Sequence, residues 1–460
     1  MFINRKDELQ KLNEEYDKKS SSFSVIYGRR RVGKTALISE FIKDKPHIYL
    51  YITDGDLNSQ LEIFLKEIKE FVDESLRKFI NFDSFEDAIE FISTIKLDKK
   101  LVLVIDEYQN LILKDRAFSS KLQKIWDLKL QNSNIYLILC GSIISMMYSE
   151  TLSYNSPLYG RRTSSFHIKP LKFKNIKEFL PKLSKLDQML VFSSFGTIPK
   201  YLLEYEQDLT FMQNIERKIL DKNSYLYNEG NFLLKDEINE PASFFSIMKT
   251  IAEGNTKVGN IASKLGVTSS YLSKYLLKLI DLDFIEKEVP VTEKNPQKSK
   301  LGRYRIKDNF LNFWFFYVYK NFSYLEIGNR EFVLKEIEKN FNDKFVSFAF
   351  EEYVKEEILE NPKKYLGFVP LKVGRWWSNK EEIDLVAFDA ENIAFIECKW
   401  QNKVDKEEVK NKLIQKSKEL IGDKKANYLV VCKEDYLESS WDKMFESLGG
   451  FSEDFGDIRD

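Results

Sequence analysis

Phe23-Ser24-Val25-Ile26-Tyr27 runs directly into Gly28-Arg29-Arg30-Arg31-Val32-Gly33-Lys34-Thr35, and Ala36-Leu37-Ile38-Ser39-Glu40-Phe41 continues with helical spacing. No other stretch restricts the fold as tightly. A strand ending in Gly-x4-Gly-Lys-Thr that turns into a helix has the form of a phosphate-binding loop. Its glycines let the chain curl until backbone N–H groups face an anion. The lysine reaches the β- and γ-phosphates, and the threonine hydroxyl ligates Mg2+. The expected nucleotide-binding residues are therefore Gly28, Arg29, Arg30, Arg31, Val32, Gly33, Lys34, Thr35 and Ala36, with ATP and Mg2+ as ligands. Taken alone, the same pattern also fits a basic turn punctuated by glycine.

A second segment narrows the choice. Leu101-Val102-Leu103-Val104-Ile105 is a continuous apolar strand closed by Asp106-Glu107. Asp106 at a strand end can hold the Mg2+ shell, and Glu107 can orient and deprotonate an attacking water. Catalysis would then rest on Lys34 and Glu107. Ile135–Cys140 is a further buried strand, followed by Gly141-Ser142. Ser142 either senses the γ-phosphate through the water or closes a plain strand-end turn. In Pro157-Leu158-Tyr159-Gly160-Arg161-Arg162, Arg161 either stabilises transition-state charge, in its own chain or in a neighbouring copy of a homo-oligomer, or is a solvated surface residue.

Strands at Phe23–Tyr27, Ile48–Ile52, Leu101–Ile105, Ile135–Cys140 and Ser165–Ile168 alternate with amphipathic helices, which predicts an α/β fold with a parallel sheet. A chain of 460 residues exceeds one core, so several domains are expected. The pattern changes at three places and divides the chain into 1–168, 169–235, 236–320 and 321–460. A net charge of −1 restricts any nucleic-acid surface to a local patch. Three scattered cysteines fit a reducing, cytoplasmic compartment, and two histidines leave little for a histidine-built zinc site. Acidic residues follow the first methionine at once, so no signal peptide is expected. Phe310–Tyr319, the most apolar run, has about ten residues, too few to span a bilayer.

Downstream, Val258–Leu265 and Tyr271–Leu279 read as two short helices around the turn Gly266-Val267-Thr268-Ser269, and Asp283–Val289 and Gly302–Ile306 read as strands beyond them. This is a winged helix-turn-helix pattern. Ser270, Tyr271 and Lys274 would face a DNA groove, with Lys294, Lys298, Lys300 and Arg303 on phosphates. Packing on the ATPase or on another protein is the equal alternative. Further on, Trp376–Phe388 reads as one strand carrying Asp384, and Ile393–Trp400 as its partner carrying Glu397 and Lys399, after a helix containing Glu351. An Asp followed by Glu-x-Lys on adjacent strands is the PD-(D/E)XK nuclease pattern. Asp384, Glu397 and Glu351 would hold Mg2+ or Mn2+, and Lys399 would polarise or deprotonate water. Ile383 stands where that pattern's proline would be. Binding without cleavage is the alternative use of such a domain.

At these residues the chain resembles a prokaryotic, largely archaeal ATPase family related to AAA+ and STAND NTPases, over essentially its whole length. The shared segments are Gly28–Thr35, Asp106-Glu107, Leu158–Thr163, the Gly196–Leu202 turn, Gly374–Trp377, Ile383-Asp384 and Glu397–Trp400. The resemblance implies an AAA+-like P-loop NTPase with a helical lid in which Pro199 approaches the nucleotide. It also implies that Phe2–Leu9 forms a short box over the base, and that a PD-(D/E)XK-like α/β domain lies at the C-terminus. The expected activity is ATP hydrolysis, coupled to a DNA-binding, nuclease-like module without membrane attachment. A signalling or scaffold ATPase and a transcriptional regulator are the alternatives.

Overall fold

The computed structural model describes residues 2–238 and 241–438. Positions 1, 239–240 and 439–460, which fall within the first, third and fourth expected segments, lie outside the described residues. Two compact units are present. The first runs through Leu171 and includes Ile198–Lys200 and Asp281–Asp283; the second holds the remainder.

The first unit is built on five parallel strands: β1 (Ser22–Tyr27), β2 (His47–Tyr51), β3 (Leu101–Asp106), β4 (Ile135–Gly141) and β5 (Ser164–His167), in the order β2-β3-β4-β1-β5. Alternate side chains feed two cores. Phe23, Val25, Leu103, Ile105, Leu137 and Leu139 pack on one face, and Ile26, Val102, Val104, Tyr136 and Ile138 on the other. Burial on both faces is why these strands read as unbroken apolar runs and not as alternating ones. Helix α1 (Lys34–Ile42) follows β1 and contributes Leu37, Ile38 and Phe41 to the second core. All five strands lie within a residue or so of their expected positions, and the expected parallel α/β core is present.

In the second unit, α2 (Val258–Leu265) and α3 (Ser269–Asp281) precede the antiparallel hairpin β6 (Ile285–Glu288) and β7 (Arg303–Ile306). Phe310–Val318 is buried apart from half-buried Asn312, as its composition implied. Helix α4 (Ser347–Glu360) then packs on a four-stranded sheet of order β11-β10-β9-β8. Its strands are β8 (Lys372–Trp377), β9 (Glu382–Phe388), β10 (Asn392–Lys399) and β11 (Lys425–Cys432), and α5 (Lys406–Ile421) covers β10 and β11.

One sequence expectation fails here. Trp376–Phe388 is not a single strand: it holds the end of β8, a turn closed by Ser378 N–H on Glu381 O, and all of β9. Ser378 Oγ also accepts from the N–H groups of Lys380 and Glu381, local turn chemistry that overrides the apolar pattern. Opposite Arg375 the β8–β9 ladder shifts register. Gly374 faces Val386 but Trp376 faces Ile383, so β9 supplies both Leu385 and Asp384 against one residue. Such a bulge re-aims side chains. Among the described residues no helix is long and apolar enough to cross a membrane.

Candidate functional site

In the first unit the loop after β1 and the ends of β3 and β4 lie together at the carboxyl edge of the parallel sheet, where open α/β sheets bind ligands. Gly28 has φ 151°, and a Cβ there would sit 2.3 Å from the Ile168 carbonyl oxygen, so only glycine allows the chain to leave β1 this closely. Gly33, at φ 95°, initiates α1. A Cβ on Gly33 would lie 3.9 Å from Pro199 Cγ, which places Pro199 beside the loop. Lys34 Nζ donates to the carbonyl oxygens of Gly28 (2.8 Å) and Arg29 (3.0 Å), folded over the loop it would leave to reach a phosphate. Thr35 and Ala36 are exposed on the first turn of α1, while Arg29 and Val32 are buried.

Thr35 Oγ1 donates to Asp106 Oδ2 at 3.0 Å, joining the helix after the loop to the end of β3. Glu107 adopts a left-handed conformation at φ 55°. Its Oε2 accepts from Ser142 Oγ (2.9 Å) and from the amide of Gln109. Gln109 also donates to Ser142 at 3.2 Å. Sequence reading missed two contributors, Tyr49 and Gln109. Tyr49 Oη donates to Asp106, and burial, then the Asp106 charge, raises its pKa. Gln109 is the second tether on Glu107. Arg5, inside the expected Phe2–Leu9 box, is buried and donates to the Val32 and Lys169 carbonyls, tying the N-terminal segment to the loop. Neither Tyr49 nor Gln109 could be read from local spacing. Arg161 is held by Asp127, with Nε–Oδ1 2.8 Å and Nη2–Oδ2 2.7 Å.

In the second unit the β9–β10 ladder runs through Leu385 and Ile396, and the next residues on the two strands are Asp384 and Glu397. Asp384 Oδ2 accepts from the Cys398 N–H at 2.8 Å. Burial, then the Glu397 charge, raises the Asp384 pKa. Glu397 is buried. Its Oε1 accepts from Lys399 (2.8 Å) and from Lys416 of α5 (3.4 Å), a lysine the sequence reading missed. Its Oε2 is buried and has no hydrogen-bond partner among the described residues. Desolvation lowers the Lys399 pKa, but the Glu397 bond and charge outweigh it. The net shift is upward, which favours the charged ammonium form beside Glu397.

Glu351 on α4 is pushed up to about 8 by burial, against the opposing charge of Arg375 and with the reinforcing one of Asp384. Arg375 Nη2 lies 3.1 Å from Glu351 Oε2 and 3.2 Å from Glu382 Oε1. The structure therefore brings Asp384 and Glu397 together and leaves Glu351 paired with arginine. Among the described residues no three His, Cys, Asp or Glu side chains are grouped to hold a metal. Two acids and the open oxygen of Glu397 fit a divalent cation that keeps waters in its shell.

The expected nucleic-acid contacts are partly engaged. Arg303 Nη1 lies 3.0 Å from both Glu382 oxygens, with its guanidinium 4.4 Å from the Trp377 ring centroid. On α3, Lys274 Nζ lies 4.9 Å from the ring centroids of Tyr271 and Tyr275. Ser270 and Tyr271 are exposed.

Residues 2–205 match an ATPase domain predominantly from Archaea, and residues 314–412 match a domain described as archaeal and bacterial proteins of unknown function. An uncharacterized protein of Methanocaldococcus jannaschii is 37% identical over 462 residues, covering 98% of this chain and 100% of the relative. An uncharacterized ATP-binding protein of Pyrococcus abyssi is 27% identical over 242 residues, covering 44% of this chain and 71% of its own. Among solved structures, a Walker-type ATPase of Pyrococcus abyssi superposes with TM-score 0.49 at 19% identity, covering 68% of this chain and 96% of the other. The chain belongs to the largely archaeal ATPase family that joins a phosphate-loop ATPase domain to this C-terminal domain.

Proposed function

We propose that the protein hydrolyses Mg-bound ATP in its first unit, coupled to a nucleic-acid-binding, metal-dependent nuclease in its second. The modular plan is 1–168 ATPase core, 169–235 lid, 236–320 winged helix and 321–460 nuclease-like domain. The observation carrying the ATPase reading is the Thr35–Asp106 hydrogen bond beside a Glu107 held by Ser142 and Gln109. Mg2+ would be held by Thr35 and Asp106 and would offset phosphate charge. Lys34 leaves the loop carbonyls for the β- and γ-oxygens. Glu107 orients a water toward the γ-phosphorus and takes its proton, and ADP and phosphate leave. Ser142 positions Glu107. Pro199 closes one side of the loop. ATP turnover by the full chain, with Lys34→Ala as control, tests this: turnover that is absent, or present equally in the variant, rejects it.

For the second unit, the buried pair Asp384 and Glu397 supports the cleavage reading: Lys399 and Lys416 hold one Glu397 oxygen, and the other has no hydrogen-bond partner among the described residues and is available to a cation. They would hold Mg2+ or Mn2+, which supplies Lewis acidity. Lys399 supplies a fixed positive charge toward a phosphodiester. Metal-dependent degradation of single- or double-stranded DNA, lost in Asp384→Ala, tests the reading, and unchanged cleavage in Lys399→Ala rejects it.

A further inference from the structure

A cavity of about 370 Å3 lies within the second unit, between the β6–β7 hairpin and the start of α4. That size falls in the range of about 300–1,000 Å3 usual for ligand pockets. Its walls combine Phe348 and Phe316 with the amides of Asn309 and Asn312 and with the guanidinium groups of Arg303 and Arg375. Phe348 is the telling residue. It is a large apolar side chain left 41% exposed, with the Arg375 guanidinium 5.2 Å and that of Arg305 5.9 Å from its ring centroid. An exposed ring flanked by arginines is the surface on which an unpaired nucleic-acid base stacks.

The position of the ring ties the cavity to the candidate metal site. Phe348 precedes Glu351 by three residues on α4, so both lie on one helix face. Arg375 spans the gap, touching Glu351 with one end while its Nε is buried without a hydrogen-bond partner among the described residues. Glu382 caps both Arg303 and Arg375. Its side chain is 39% exposed against 23% and 13% for the two arginines, so it is the member of the trio that water can most readily receive. A phosphate entering the cavity replaces one carboxylate on two guanidinium groups and gives the idle Nε–H an acceptor.

We propose that this cavity seats one unstacked nucleotide of a single strand, next to the candidate cleavage centre. Its base lies on Phe348, its edge is read by Asn309 and Asn312, and its phosphate is held by Arg375 and Arg303 in place of Glu382. The inference rests on the nucleic-acid reading of the second unit. Its test avoids cleavage, so the two can fail separately.

The full chain is titrated, in EDTA and without ATP, against fluorescein-labelled oligo(dT) and against a duplex of equal length, with binding read by anisotropy. Phe348→Ala should weaken single-strand binding roughly 5- to 150-fold, the loss of one stacked base, and leave any duplex binding unchanged. Phe348→Trp should bind at least as tightly as the parent. Ultraviolet crosslinking of the unaltered chain to oligo(dT) should mark the peptide carrying Phe348. Wild-type affinity in Phe348→Ala, equal losses for strand and duplex, or weaker binding in Phe348→Trp would each overturn the proposal. If Phe348→Ala melts early, the tryptophan variant and the crosslink decide. Cleavage of the same oligonucleotide with Mn2+, compared in Asp384→Ala, reports separately on the nuclease reading.

Discussion

The two acidic sites of this chain differ in what holds their carboxylates. In the first unit Asp106 and Glu107 are met by neutral donors: the hydroxyls of Thr35, Tyr49 and Ser142, and the amide of Gln109. In the second unit Asp384 also has a neutral donor, the Cys398 N–H, but Glu397 and Glu351 are met by cations, namely Lys399, Lys416 and Arg375. Hydroxyls orient a carboxylate and leave its charge uncompensated, which suits a site awaiting a cation with its nucleotide. Ammonium and guanidinium groups neutralise it, so a metal there must compete with, or rearrange, cations the protein already supplies. The first pair of acids is positioned by neutral donors, whereas Glu351 of the second already lies beside the Arg375 guanidinium.

That contrast can be broken by measurement. The largest effect is expected in the first unit. Glu107→Gln should retain ATP binding within a few-fold and lower kcat on the order of 10²–10⁴-fold in steady-state assays, because only proton transfer is lost. In the second unit Lys399→Ala should reduce metal-dependent cleavage on the order of 10²-fold, with circular dichroism unchanged. An equal loss in Lys399→Arg would indicate that geometry matters beyond charge. Tyr49→Phe tests the hydroxyl frame: the Mg2+ concentration for half-maximal ATP turnover should rise roughly 10-fold with kcat nearly kept, the signature of a positioning residue behind a metal ligand.

The smallest expected effect concerns stability. Burial pushes Glu356 up to about 7, although its Oε2 accepts from the Phe173 N–H. The native state therefore binds more protons than the unfolded chain between the ordinary glutamate range and about pH 7, and its stability falls as pH rises through that window. Glu356→Gln keeps an acceptor and cannot ionise. Its melting temperature should match the parent near pH 4.5 and exceed it by a few degrees at pH 8; the reverse order would contradict this sign.

How far the sequence could be read depended on how local each feature is. The phosphate loop, β3 ending in Asp106 and helix Val258–Leu265 carry their own signals within a few residues, and each stands where its pattern placed it. The turn inside Trp376–Phe388 was hidden because Ser378-Asn379-Lys380 interrupts a run whose flanks both look like strand. Tyr49 and Asp106 are 57 positions apart, and meet only because β2 pairs with β3. Lys416 reaches Glu397 from α5, and Arg375 reaches Glu351 across a register shift, neither of which spacing can reveal.

The central claim is that a loop of backbone amides and one lysine holds a nucleoside triphosphate in the first unit. Isothermal titration of the full chain with ATP in Mg2+ tests it most directly. The account predicts saturable binding at one site per chain for the parent protein and loss of measurable heat for Lys34→Ala. Undiminished binding in Lys34→Ala, or none in the parent, would contradict it.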